Sequence, residues 1–250
     1  MKFLLYGKGK TIKYIKRFLK SQNVEIISCC KKEEQKGNDL LADEKILDIK
    51  GITYALKSPG ISEKDKHYCL YKEKFTFISE LDLLKVFNIN LKIIAITGSN
   101  GKSTCVDMIS YYLNRKNIKA IAIGNSHKSL FYYYKKFKCY EYFVVELSSF
   151  MLKDHHLYPF YMASILNISK NHLDEVYSYT SYINSKKNIY RFMNYNGYYL
   201  KTNTFKDNEN IENTNVISCY YFNNNLIKEN LKKYKIQLNV LYTIATILNI

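Results

Sequence analysis

The nine residues from Ala95 to Ser103 (Ala-Ile-Thr-Gly-Ser-Asn-Gly-Lys-Ser) hold the side chains best suited to a phosphate group. Gly98 and Gly101 let the backbone approach an anion, Lys102 supplies a point charge, and Ser103 or Thr104 offers a hydroxyl to Mg²⁺. Ile93, Ile94, Ala95 and Ile96 read as a strand, and Val106, Ile109, Tyr112 and Leu113 recur at helical spacing. The loop therefore opens a helix whose first-turn N–H groups and dipole favour negative charge. The commonest nucleotide loop has a glycine where Ile96 stands, so this is a shorter variant.

Three further residues could complete such a site. Glu146 follows the apolar run Phe143, Val144 and Val145, which puts a carboxylate at the carboxyl end of a strand. An oxygen ligand there suits Mg²⁺, although a glutamate at a strand end is by itself an ordinary surface residue. His172 follows the strand Ile165-Leu166-Asn167-Ile168 after a short polar turn, whereas His67, His127, His155 and His156 read as surface or structural residues. Tyr182, Ile189, Tyr190 and Met193 each lie within about 60° of Lys186 on a helix, so Lys186 sits in an apolar stripe. Lys187 points about 100° away, towards solvent. A lysine so placed either snorkels or, if buried, becomes a nucleophilic amine of depressed pKa.

Alternating strands and helices must position these residues. Phe3 to Tyr6 predicts a first strand, and Ile12, Ile15, Phe18 and Leu19 mark the buried face of a helix. Val24 to Ser28 and Thr53 to Leu56 predict further strands, with Ser58, Pro59 and Gly60 a turn opening a helix through about Tyr71. This is a small Rossmann-like unit ending near Phe87, with a second unit from Asn90. In the second unit Ile93 to Thr97, Ala120 to Ile123, Tyr142 to Leu147 and Ala163 to Ile168 are mostly apolar, as strands covered on both faces are. Each runs into a polar segment with a candidate site residue, and ligands of open α/β sheets gather beyond the carboxyl ends of the strands. Tyr198 to Lys201 and Val216 to Tyr221 predict later strands, and Leu238, Leu241, Tyr242, Ala245 and Leu248 a final helical stripe. Gly7-Lys8-Gly9 after the first strand is a weak phosphate turn. Its missing third glycine, and Ser28, Cys29 and Cys30 where an acid is needed, argue against a dinucleotide.

The loop has Lys57-Ser58-Pro59-Gly60-Ile61 upstream, then Glu146-Leu147-Ser148-Ser149-Phe150, Asn167-Ile168 and His172-Leu173-Asp174 downstream. In that order these segments resemble the Mur ligase superfamily, the ATP-dependent amide ligases of peptidoglycan precursor synthesis, whose loop usually reads Thr-Gly-Thr-Asn-Gly-Lys-Ser/Thr. The Ser-Pro-Gly-Ile and Glu-Leu-Ser-Ser-Phe wordings look most like members that add D-glutamate to UDP-N-acetylmuramoyl-L-alanine. The resemblance implies an α/β protein. Residues 1–88 would be an N-terminal Rossmann-like UDP-sugar-binding domain, and residues 89–250 an incomplete P-loop ATPase-like central domain with a mostly parallel sheet. The C-terminal domain that binds the incoming amino acid in relatives would be absent.

The same resemblance implies ATP held by Gly98, Ser99, Asn100, Gly101, Lys102, Ser103, Thr104 and Asn239. It implies two Mg²⁺ ions held by Ser103, Glu146, His172 and Lys186, the lysine as a carbamate, with Lys102, Lys186 and His172 as the catalytic set. The UDP-sugar would contact Gly7, Gly9, Thr11, Ser58, Pro59, Gly60, Asn125 and Ser148. The chain departs from the pattern at Asn171, where relatives have Asp, and at Ser126 and His127, where they continue Gly-Asn with Ile-Gly. Lys235 and Ile236 stand where a His-Asn pair precedes the residue matching Asn239.

At 250 residues the chain can hold two ordinary domains. A net charge of +16 would suggest nucleic acid. The lysines, however, are spread among abundant Asn, Ile and Tyr, with arginine only at Arg17, Arg115 and Arg191, which reads as compositional bias. No nucleic-acid partner is expected. The six cysteines show no Cys-x-x-Cys pairing and predict free thiols in a reducing cytosol. No signal peptide precedes the first strand, and no apolar run approaches the roughly 20 residues of a membrane helix. The expectation is a cytoplasmic monomer without membrane insertion. The stop at Ile250, inside a helical stripe with no capping glycine, predicts a ligase fragment inactive by itself. A ligase of the folylpolyglutamate type and a non-catalytic nucleotide-binding remnant are the alternative readings; the separate N-terminal unit with Ser58 to Ile61 argues against the former.

Overall fold

The computed structural model describes residues 1–35, 39–154, 157–169, 178–202, 215–219 and 233–250. His172, with Asn171 before it, lies outside the described residues. The chain divides into two compact units. One takes Met1–Asn88 with Ser129–Lys135 and Asp154–Leu157; the other takes Ile89–Lys128, Lys136–Lys153 and Tyr158–Ile250.

The first unit contains β1 (Lys2–Tyr6), α1 (Lys10–Ser21), β2 (Glu25–Cys30), β3 (Leu40–Leu41), β4 (Tyr54–Lys57), α2 (Lys66–Lys74) and α3 (Asp82–Val86). Its strands form a parallel sheet in the order β3-β2-β1-β4. Phe3 to Tyr6 are fully buried in the centre, and α1 buries Ile12, Ile15, Phe18 and Leu19 as their spacing predicts. β2 runs past Ser28 because Cys29 and Cys30 behave as small apolar residues and pair with Tyr6 and Leu41. The helix expected to open at Ser58 begins instead at Lys66. Asp65 caps it by accepting from Tyr68 N at 3.0 Å, and also takes the Tyr6 hydroxyl at 2.7 Å. Two buried carboxylates anchor the segments that join this unit from later in the chain. Leu130 N donates to Glu80 at 3.4 Å, and Leu157 N donates to Asp82 at 2.7 Å.

The second unit contains β5 (Lys92–Thr97), α4 (Lys102–Arg115), β6 (Ala120–Gly124), β7 (Tyr142–Glu146), α5 (Ser149–Lys153), β8 (Phe160–Ile165), α6 (Tyr179–Arg191), β9 (Met193–Lys201), β10 (Asn215–Ser218) and α7 (Lys235–Ile247). The strands are all parallel, in the order β10-β9-β8-β5-β7-β6. β8 lies three residues nearer the N-terminus than expected, which frees Leu166 to Ser169 to form a loop. α6 ends at Arg191, so Met193 opens β9 instead of completing the apolar stripe.

α7 is rotated from its expected face. Val240 and Ile244 join Cys105, Val106 and Ile109 in the core, which turns Gln237, Asn239 and Thr243 inward and leaves Tyr242 50% exposed. Of the predicted stripe, Ala245 is buried and Leu241 and Leu248 pack against this core from the side, and Thr243 Oγ1 is satisfied within the helix by Asn239 O at 2.8 Å. All six cysteines are free. Among the described residues no helix is long and apolar enough to cross a membrane.

Candidate functional site

The loop after β5 is held from two sides. Ser99 N donates to Asn167 O at 2.9 Å, Asn100 N donates to Asn167 Oδ1 at 2.9 Å, and Asn167 Nδ2 returns a bond to Asn100 O at 3.0 Å. Ser169 N donates to Ser99 Oγ at 2.9 Å, and Tyr182 on α6 shares a hydrogen bond with the same oxygen at 2.9 Å. Asn167 was legible only as part of a motif; its bracing of the loop comes from the fold. Gly101 has φ +77 and caps α4, and a Cβ there would meet the buried amide of Gln237. The amides of Lys102, Ser103 and Thr104 head the helix without intrahelical acceptors, so loop and dipole together suit an anion. Lys102 Nζ donates to Ser99 O at 3.0 Å. Burial holds its pKa below the ordinary lysine value, against the pull of Glu146.

Glu146 ends β7, in register with Ile96 of β5 and Gly124 of β6. It is 1% exposed, and Ser103 Oγ donates to its Oε2 at 3.0 Å. The turn after β6 closes over the same carboxylate. Ser126 donates through N and Oγ, each at 3.2 Å, and Asn125 Nδ2 lies 3.5 Å away. Gly124 makes this possible: its φ is +112, and a Cβ would fall on the carbonyl of Glu146. His127, which the sequence placed among unremarked histidines, stands in this cluster. Its Nε2 is 2.9 Å from Asp107 Oδ1 and its Nδ1 3.5 Å from Glu146 Oε2. Its position three residues past Gly124, at a strand's carboxyl end, is the signal that could have found it.

Lys186, on the apolar stripe of its helix, is 2% exposed, so it is buried and does not snorkel, while Lys187 is half-buried. Lys186 Nζ donates to Gly98 O at 2.9 Å and Thr97 Oγ1 at 3.4 Å, and lies 4.6 Å from the Tyr182 ring centre. Desolvation, reinforced by the charge of Lys102, lowers its pKa to about 7. Thr104 is exposed on the first turn of α4 and Asn239 is buried on α7. Ser148 accepts from Met151 N at 3.3 Å at the head of α5. The oxygens of Ser103 and Glu146 form a donor set that fits Mg²⁺, a hard cation.

Within the first unit, the two glycine turns and the Ser-Pro-Gly segment meet. Gly9 N donates to Ser58 Oγ at 3.1 Å, and a Cβ at Gly7 would lie 2.9 Å from Ser58 Cβ. Ser58 is buried, Thr11 half-buried, and Pro59 and Gly60 exposed. Beside them a cavity of about 390 Å³ is lined by Gly7, Lys8, Lys13, Lys16, Arg17 and Ser28 among others. Asp39 on its wall pairs with Lys8 and Lys16, each at 3.0 Å.

Residues 96–245 match the Mur ligase middle domain. The chain is 30% identical over 215 residues to a UDP-N-acetylmuramoylalanine–D-glutamate ligase of Fusobacterium nucleatum subsp. nucleatum, covering 84% of the chain and 48% of that protein. It is 33% identical over 195 residues to the enzyme of the same name from Francisella philomiragia subsp. philomiragia, covering 76% and 44%. The chain thus spans about half the length of the curated relatives it matches. Among solved structures, UDP-N-acetylmuramate:L-alanyl-gamma-D-glutamyl-meso-diaminopimelate ligase from Neisseria meningitides aligns with a TM-score of 0.53 at 13% identity, covering 87% of this chain and 77% of that one. That likeness is one of fold.

Proposed function

The chain belongs to the Mur ligase family, and from that premise we propose that it serves ATP-dependent amide ligation in the cytoplasm, on UDP-N-acetylmuramoyl-L-alanine with D-glutamate as the incoming amine. The observation that carries the reading is the meeting of the Ser103 hydroxyl and the buried Glu146 carboxylate, 3.0 Å apart, at the head of α4. Residues 1–88 would hold the UDP-sugar through the Gly7 to Thr11 turn and Ser58 to Gly60. Residues 89–250 would hold the nucleotide.

The chemistry divides into two displacements. A substrate carboxylate oxygen attacks the γ-phosphorus of ATP, the bond to the β,γ-bridging oxygen breaks, and ADP leaves. The amine nitrogen then attacks the acyl carbon, and inorganic phosphate departs with the carboxylate oxygen. Positioning and charge neutralisation dominate such transfers. Lys102 and the α4 amides would hold the terminal phosphates, and Ser103 and Glu146 would hold Mg²⁺, which when bound offsets phosphate charge. Lys186, as a carbamate, would add an anionic oxygen donor for a second cation together with His172. Asn125, in the turn after Gly124, would contact the sugar-peptide.

Calorimetry with ATP and Mg²⁺ tests the nucleotide part, with ADP release dependent on UDP-N-acetylmuramoyl-L-alanine as the substrate test. ATP binding that ignores Lys102→Ala, or ADP release indifferent to the UDP-sugar, would overturn the corresponding half of the reading.

A further inference from the structure

The imidazole of His127 is held between two carboxylates in unlike ways. Asp107 Oδ1 lies 2.9 Å from Nε2 and can take the proton on that nitrogen, which leaves Nδ1 with a free lone pair. Nδ1 is buried and makes no hydrogen bond. It faces Glu146 Oε2 at 3.5 Å, the same oxygen that Ser103 Oγ approaches at 3.0 Å. A lone pair and a carboxylate oxygen that face each other in a buried place repel unless something positive lies between them. The separation suits a cation: two ligands at metal distances of about 2.1 Å stand roughly 3.0–3.5 Å apart when they share one ion. A remote ring nitrogen held by a carboxylate is also the usual way in which a metal-binding histidine is oriented.

We propose that His127 is a nitrogen ligand to the divalent cation at the nucleotide site, sharing it with Glu146 and Ser103. Asp107 is the positioning residue that fixes the tautomer. This rests on the reading that the loop takes a nucleotide phosphate. Among the described residues no group of three His, Cys, Asp or Glu side chains is arranged to hold a metal alone. Phosphate oxygens and water must supply the remaining ligands, so the cation binds together with the nucleotide. Replacing one oxygen donor by imidazole shifts preference from Mg²⁺ towards first-row transition ions, so Mn²⁺ and Co²⁺ gain relative to Mg²⁺.

The test uses the 250-residue chain with Mn²⁺ and ADP, the protein carrying ¹⁵N-labelled histidine. Electron spin-echo envelope modulation then reads a ¹⁵N coupling that the unlabelled adenine nitrogens cannot produce. In a His172→Gln background, which removes the histidine assigned above to a second cation, the coupling is expected with His127 present and lost in His127→Gln, with the Mn²⁺ over Mg²⁺ affinity ratio falling roughly tenfold by calorimetry. A coupling unchanged in His127→Gln would assign the nitrogen to another histidine and overturn the proposal. ADP binding without any histidine coupling would overturn it while leaving the nucleotide reading intact. Failure of ADP to bind at all would overturn both.

Discussion

Lys186 should form a carbamate where a surface lysine does not, and the structure sets the margin. Only the neutral amine attacks CO₂. Burial, together with the neighbouring charge of Lys102, brings the Lys186 pKa down to about 7. At pH 7.5 roughly three-quarters of this amine is neutral, against about one part in a thousand at an ordinary lysine pKa, an advantage of several hundredfold. The product reverses the local electrostatics. As an ammonium, Lys186 is repelled by Lys102; as a carbamate it is attracted, which matters because an isolated buried ion costs several kcal/mol. Lys102→Met should therefore act twice, restoring part of the ordinary pKa and removing the counter-charge. If the pKa recovers by one unit, the neutral fraction falls about threefold from the first effect alone. The assay is ¹³C NMR with labelled bicarbonate and Mg²⁺ on the unsubstituted chain, Lys186→Met, Lys187→Met and Lys102→Met. The expected carbamate resonance survives Lys187→Met, weakens in Lys102→Met and disappears in Lys186→Met. A resonance that survives Lys186→Met and vanishes in Lys187→Met would place the carbamate on Lys187 instead.

Other parts of the molecule give equally direct tests. Lys102→Ala should weaken Mg²⁺-ATP binding by about tenfold or more, since a phosphate-facing charge is worth on the order of 1–3 kcal/mol; isothermal titration showing equal affinities would contradict the loop assignment. Burial raises the Glu80 pKa from 4.5 to about 7, so between those values the folded chain holds a proton that the unfolded chain has released. Stability should therefore fall as pH rises through that window, with a cost of about 3 kcal/mol fully present above pH 7. Glu80→Gln should escape this cost, and urea unfolding at pH 5 and pH 8, followed by hydrogen exchange in β1, should show its advantage growing with pH; a constant difference would count against it. Gly124→Ala should destabilise the second unit by roughly 2 kcal/mol or more, because its φ is +112 and the new methyl falls on Glu146 O. An unchanged melting transition would show that the turn can relax.

Features that depend on neighbours along the chain are legible without the fold. The phosphate loop is contiguous, so strand, glycines, lysine and helix start are read in one pass, and alternation of apolar segments is enough for an α/β fold with parallel strands. Helical periodicity put Lys186 on the apolar face of one element, and packing decided that it is buried there and does not snorkel. Tertiary structure decided what depends on register and on which elements pack together. Asn167 reaches the loop because β8 lies beside β5, and His127 reaches Glu146 because β6 and β7 are in register from Ala120 to Gly124. Neither pairing leaves a periodic trace in the sequence. The inward face of α7 shows the same: Leu241 and Leu248 of its apolar stripe pack against the core, but the face that fits α4 also carries Gln237 and Asn239 inward. Local pattern states what a residue can do, whereas crossovers and strand register decide which distant residue it meets.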